Sequence, residues 1–201
     1  MSGCGCGTDQ ADQLERKTLL ILLLINLSMF FVELASGIFA DSTGLISDSL
    51  DMLADAMVYL IALYAVGKHL SLKQKAARFS GYVHIFLGLL VLFESSRRFL
   101  YGSEPEGPFM IYFGIIALAA NTYCLYLISK HRHSGIHMKA SFIFSANDVL
   151  VNLGIIISGF LVIQLNSHYP DIVIGTIVSI VVIRGGILIL NEAKQEKCEN
   201  S

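Results

Sequence analysis

The sequence predicts an all-α membrane protein, a bundle of six transmembrane helices, and three observations lead there. Of its 201 residues, 54% are hydrophobic and 15% charged, with a mean hydropathy of +0.65, too apolar for a soluble domain of this length. The apolar residues gather into six runs, each near the roughly 20 residues a helix needs to cross a bilayer. The charges gather between those runs, and the basic ones favour alternate connections. A formal net charge of −2 offers no basic surface for nucleic acid, so no nucleic-acid partner is expected.

In chain order, residues 1–17 open Met-Ser-Gly-Cys-Gly-Cys-Gly and stay polar through Arg16 and Lys17, without a periodic apolar face. A disordered tail is expected there. Cys4 and Cys6 are spaced to offer two thiolates to a soft ion, an incomplete site on their own; two free thiols on a mobile tail is an equal reading. The other cysteines, Cys124 in a span and Cys198 at the far end, argue against a disulfide framework. The spans follow at 18–40, 44–67, 80–101, 109–129, 139–165 and 171–191. The first is too long for the apolar core of a cleavable signal peptide and is expected to anchor itself. Polar or turn-forming segments separate them: 41–44, 68–78, 102–108, 130–138 and 166–170. Residues 192–201 are expected to be a short tail, too small to bury a core.

Topology follows from the cations. Arg16 and Lys17; Lys68, Lys73, Lys75 and Arg78; Lys130, Arg132 and Lys139; and Lys194 and Lys197 all fall on one side, which is expected to be cytoplasmic with both termini. The opposite connections carry Asp41, Glu104, Glu106 and His168, with Arg97 and Arg98 near that end of the third span.

The second span holds the sequence's least membrane-like feature. Asp48, Asp51 and Asp55 stand at i, i+3 and i+7, on one helical face, with Asp51 and Asp55 about 6 Å apart along the axis. Each would cost roughly 2.5–3.5 kcal/mol at mid-bilayer, so an unpartnered trio would cost on the order of 7–10 kcal/mol. A divalent cation offsets that, and without one the neighbouring charges favour taking up protons, so the face reads as a cation site exchanging metal for protons. The plainer alternative is aspartates hydrogen-bonded to neighbouring helices. In the fifth span Asp148 lies near mid-depth, with Ser145 and Asn152 on its face at i−3 and i+4. That face turned toward Asp51 and Asp55 would complete an oxygen-rich cage. The remaining span residues, Asn26, Glu33, Glu94, Asn121, Asn147 and Arg184, read as contacts between helices, with Arg184 pairing Glu33 or Glu94. His84 reads as a hydrogen-bonded packing residue. His131, His133 and His137 could collect metal at the cytoplasmic entrance, although a solvated basic loop is the simpler reading.

The second span, Leu-Ile-Ser-Asp-Ser-Leu-Asp-Met-Leu-Ala-Asp-Ala, and the fifth, Ser-Ala-Asn-Asp-Val-Leu-Val-Asn-Leu-Gly, resemble the ligand-bearing helices of the cation diffusion facilitator family. Val-Glu-Leu-Ala-Ser-Gly in the first span and Pro-Asp-Ile-Val-Ile-Gly entering the sixth add to the likeness. The resemblance implies six-helix metal transporters, with Asp51 and Asp55 at the D-x-x-x-D positions, Asp148 as a third ligand, and a homodimer. The family usually has His or Asp four residues before Asp148, where this chain has Phe144. The fourth ligand then falls to Asn147, Asn152, Ser145 or water, with Asp48 a further candidate. The family's cytoplasmic carboxy-terminal domain is not expected in this chain.

The expected function is efflux of a divalent metal, zinc first and cadmium, cobalt, iron or manganese after it, in exchange for protons across the plasma membrane. The ion is cargo; no cofactor and no enzymatic activity are expected, and no G-x-x-x-x-G-K-[ST] nucleotide motif occurs. A membrane metal sensor or scaffold, or a small-molecule exporter using the aspartates as proton carriers, are the alternatives.

Overall fold

The computed structural model describes the backbone of residues 5–65, 70–129 and 136–199, and the side chains of 16–61, 63–64, 78–79, 81–129, 145–191 and 194. Six helices make up the fold: α1 Gly5–Phe39, α2 Thr43–Ala65, α3 Leu70–Tyr101, α4 Gly107–Ser129, α5 Ile136–Leu165 and α6 Tyr169–Glu199. Among the described residues there is no strand. Segments in α1, α4, α5 and α6 are each long and apolar enough to cross a membrane: Arg16–Phe39, Gly107–Ser129, Ser145–Leu165 and Tyr169–Asn191. α2 and α3 are less uniformly apolar because they carry Asp48, Asp51 and Asp55, and Glu94, Arg97 and Arg98, respectively.

Three of the expected interruptions fall where predicted, because each contains a residue that tolerates the left-handed region. Asp41 (φ 48), Gly102 (φ 84) and Asn166 (φ 46) stop α1, α3 and α5 at one end of the bundle. The outer ends of α1 and α6 differ from expectation. Residues 5–17, expected as a disordered tail, continue α1, and residues 192–199 continue α6. Neither stretch meets a Gly or Pro after Gly7, and both are rich in Ala, Gln, Glu and Lys, good helix formers even without an apolar face.

The inside and outside are inverted relative to a soluble bundle. Buried positions include Asn26, Glu33, Ser36, Ser47, Asp48, Asp51, Asp55, Asn121, Asp148 and Asn152, while Phe31, Phe39, Phe86, Phe93 and Phe160 lie exposed on the outer surface. Such a surface is stable only against lipid. α2 sits at the centre, touching each of the other five helices, while α1 with α2, α3 with α6, and α4 with α5 form the closest pairs. Small residues allow the last two pairs to approach: a Cβ added at Gly107 would stand 2.6 Å from the Gly159 carbonyl oxygen, and one at Gly186 would stand 2.7 Å from the Gly81 carbonyl oxygen.

α2 is held at its start by an unusually complete cap. The Ser42 hydroxyl accepts the Leu45 N–H at 3.2 Å and donates to Asp171 Oδ1 at 2.6 Å. Asp171, from the first turn of α6, also accepts the Thr43 N–H at 2.5 Å and the Gly44 N–H at 3.0 Å. The helix-start amides that no intrahelical carbonyl can reach are thereby satisfied in a site where Asp171, Ser42 and Thr43 are fully buried. A carboxylate at this end also meets the favourable end of the helix dipole. Asp171→Ala is expected to leave three donors unpaired at roughly 1–3 kcal/mol each. The thermal midpoint of the detergent-solubilised protein should fall clearly, and Asp171→Asn, which keeps an acceptor, should fall less; equal midpoints for all three proteins would mean that the cap does not hold α2.

At the same end, Arg98 donates to the Asp41 carbonyl oxygen, pairs with the Asp41 carboxylate at 2.8 Å, and donates to Glu94 at 2.8 Å. Glu94 also accepts two hydrogen bonds from Arg97. Glu94 is thus occupied by its own helix, and Arg184, expected as its partner or that of Glu33, lies exposed on α6 instead.

Candidate metal site

The three aspartates of α2 lie on its buried side, each less than a tenth exposed, while Leu60 and Tyr64 of the same helix are exposed. One cavity is lined by Asn26 of α1, Asp48, Asp51, Met52 and Asp55 of α2, Asn121 of α4 and Asp148 of α5. Asp51, Asp55 and Asp148 are each less than a tenth exposed. Asp148 is hydrogen-bonded to Asp51. Asp148 of α5 and the aspartates of α2 line the same cavity.

α3 contributes a residue that the sequence reading set aside. His84 is buried, and its Nε2 lies 3.8 Å from Asp55 Oδ1. One donor atom each from Asp51, Asp55 and His84 lie within 4.8 Å of one another. Bonds of about 2.0–2.2 Å to a tetrahedral metal would set ligand atoms about 3.4 Å apart, so these three need contract only modestly. The position of His84, expected to serve packing, is that of a potential nitrogen ligand beside the carboxylates.

The other sequence candidates separate. Asp48 lines the cavity and is almost fully buried, as is Glu33 of α1. Asn152 donates from its side-chain amide to the Asp148 carbonyl oxygen at 2.9 Å, one turn back on its own helix. Ser145 is buried and Asn147 half-buried, and neither lines the cavity. Asn26 donates to its own helix at Leu22 and to the Cys124 sulfur at 3.9 Å, so Cys124 is a buried free thiol in contact with α1. Cys4, His131 and His133 lie outside the described residues; Cys6, His137 and Phe144 fall in helices, with side chains outside the description.

Residues 19–196 match the family model described as the cation efflux transmembrane domain. The chain belongs to the cation efflux family. This is the family of cation diffusion facilitators, transporters rather than enzymes, and the likeness covers nearly all of the bundle. Among the cation efflux relatives, the zinc transporter ZitB of Yersinia pseudotuberculosis serotype I (strain IP32953) is 25% identical over 200 residues, 92% of this chain and 64% of the relative. The cadmium, cobalt and zinc/H(+)-K(+) antiporter of Bacillus velezensis (strain DSM 23117 / BGSC 10A6 / LMG 26770 / FZB42) is 24% identical over 196 residues, 90% of this chain and 63% of the relative. ZitB of Escherichia coli (strain K12) is 24% identical over 198 residues, with 92% and 63% covered. The chain thus spans slightly less than two thirds of the length of these curated relatives.

Proposed function

We propose that the protein exports a divalent cation, zinc by preference, from the cytoplasm in exchange for protons, binding it through Asp51, Asp55, Asp148 and His84. The observation that carries the reading is that Asp51 and Asp55 line one cavity with Asp148 and also offer donor atoms within 4.8 Å of one on His84. Oxygen with one borderline nitrogen donor suits zinc, cadmium or cobalt, the ions named for the relatives above, better than magnesium or calcium. His84 takes the part of the nitrogen donor that Phe144 cannot supply.

Exchange follows from the charge on the site. Three ionised carboxylates cannot share a small dry cavity without compensation, so the site holds either metal or protons. A site opened toward protons loses its metal, and one opened toward metal loses its protons. A proton gradient directed inward can then drive metal outward. In this reading the basic segments 68–78 and 130–139, with both termini, face the cytoplasm, as the positive-inside rule favours. The plasma membrane as the location and a homodimer as the assembly belong to the same reading.

The test is reconstitution into sealed vesicles with a pH dye trapped inside. Zinc added outside is expected to enter as protons leave, and Asp51→Asn is expected to stop or uncouple both fluxes. Zinc entry with no proton movement at several imposed pH gradients would replace the exchanger by a channel or uniporter. No metal flux at all, with tight metal binding retained, would favour a sensor.

A further inference from the structure

α3 and α4 are joined by five residues, 102–106, yet the two helices have different neighbours. Among the described residues α3 packs against α2 and α6, α4 packs against α1, α2 and α5, and α3 and α4 do not meet. The connection therefore carries the chain across the end of the bundle, and on the way it is fastened to the turn where α1 passes into α2. The Glu104 N–H donates to Asp41 Oδ2 at 2.7 Å, and the Glu106 N–H donates to the Ala40 carbonyl oxygen at 2.9 Å. The other oxygen of Asp41 pairs with Arg98 at 2.8 Å. One carboxylate thus holds both the last turn of α3 and the middle of the connection.

These ties stand in reach of water. The Asp41 side chain is 47% exposed, against 6% for Arg98, and Gly102, Glu104 and Glu106 are exposed as well. Water can take the place of each partner as the segment lifts, which it cannot do at the buried bonds of Asp171 to Ser42, Thr43 and Gly44 beside them. The segment also has unlike ends. At Gly102 the backbone is left-handed (φ 84) and nothing lies within 4 Å of where a Cβ would stand, so the chain is free to turn there. At Gly107 a Cβ would stand 2.6 Å from the Gly159 carbonyl oxygen, so the start of α4 is anchored on α5. Below the turn, the buried polar residues Ser36 and Glu33 lie about 4.5 and 9 Å in from the end of α1 at the helical rise, on the way toward the metal cavity.

We infer that residues 102–106 are a strap, buckled by Asp41, that closes this end of the bundle and lifts about Gly102 when metal leaves by it. The inference rests on the export reading given above, in which this end faces away from the cytoplasm. The strap supplies no ligand; it decides when the cavity communicates with that side. Held down, it joins α3 to the α1–α2 turn through Arg98 and Asp41 and keeps the two from parting. Lifted, it frees α3 from the turn while the Asp171 bonds keep the start of α2 on α6. The opening therefore runs between α3 and the α1–α2 turn, where the ties are wet, and not between α2 and α6, where they are dry.

Two measurements on the full chain test the strap. The first is hydrogen exchange in detergent. Asp41→Gly suits the left-handed backbone at φ 48 and removes only the carboxylate; exchange of the 102–107 amides is expected to speed up by about tenfold or more, while that of the α2 start stays as in the unmodified protein. The second is a lock. A chain with its four cysteines replaced by serine and carrying Asp41→Cys with Glu104→Cys is cross-linked through the new thiols by a short bis-methanethiosulfonate reagent and sealed into vesicles. Zinc flux is expected to fall by about tenfold or more on cross-linking and to return once a reductant cuts the link, with zinc affinity in detergent changed by less than about threefold. Flux unchanged by the link would overturn the strap as a gate, and unchanged exchange in Asp41→Gly would overturn Asp41 as its buckle. Loss of zinc binding on cross-linking would also overturn the inference, by making the segment part of the metal site. Absence of zinc flux from the unmodified protein would instead bring down the export reading, and the exchange measurement would still decide whether Asp41 holds the segment.

Discussion

Asp148→Ala is expected to abolish metal transport, by on the order of 100-fold or more, while the protein still inserts and keeps its helical content. The carboxyl group lies in the one described cavity that brings α1, α2, α4 and α5 together, and it is hydrogen-bonded to Asp51. Removing an outer partner of a metal ligand already costs about 10- to 100-fold in affinity or activity, so removing a direct ligand should exceed that range. Folding is expected to survive because the change removes a buried acidic group rather than a packing contact, and leaves Asp51 facing a cavity where water can replace the lost partner. Asp148→Asn sharpens the result. Its amide can still donate to Asp51, so the local hydrogen bond and the shape persist, and only the ionisable ligand is lost. Both variants should fail in the vesicle assay and both should elute from a sizing column like the unmodified protein. Transport by Asp148→Asn at the unmodified rate would mean that Asp148 is a structural hydrogen-bond partner, and that the metal is held by α2 and α3 without α5.

The bundle and its central helix were legible because charge inside an apolar run has few explanations. Asp51, Asp55 and Asp148 are recognisable from depth and helical face alone, and the structure brings their helices together around one cavity. The end where α1, α3 and α5 stop was also legible, since Asp41, Gly102 and Asn166 are residues that tolerate the left-handed backbone found there. What a face along one helix cannot reveal is the partner on another. Glu33 and Arg184 are opposite charges within spans, which favours a pair from sequence alone, yet Glu33 is fully buried and Arg184 is exposed. His84 was passed over because it stands alone on α3, without the repeating polar face that marked α2. Depth would have signalled it: 17 residues in from Tyr101 is about 25 Å, against about 18 Å for Asp55 from Thr43, little more than one turn apart. Helix ends outside the spans were missed for the opposite reason. A polar stretch such as residues 8–17 lacks an apolar period, but an existing helix can be extended without one.

Gly186→Ala is expected to lower zinc affinity and transport by at least about tenfold, although the residue touches no metal ligand's donor atom. A Cβ at this position would sit 2.7 Å from the Gly81 carbonyl oxygen, 2.8 Å from the Ile85 side chain and 2.9 Å from His84 Cβ. The first of these is backbone, and at such distances it cannot yield as the end of a flexible side chain would. The α3 and α6 helices must separate by several tenths of an ångström, a kind of overpacking that costs roughly 1–3 kcal/mol. Because α3 carries His84, the separation is passed to the 3.8 Å contact between His84 and Asp55. Metal coordination tolerates little of that, since bond lengths near 2.0–2.2 Å leave no slack for a ligand displaced outward. Ile187→Ala, next in the chain but on the exposed side of α6, is the control and should bind zinc normally. A double-mutant cycle decides whether the loss runs through the histidine: once His84 is replaced by Ala, adding Gly186→Ala should cost little further zinc affinity. Full additivity of the two changes would mean that α3 displacement acts on the site by another route, and an unaffected Gly186→Ala would mean that the α3–α6 contact can open without moving His84.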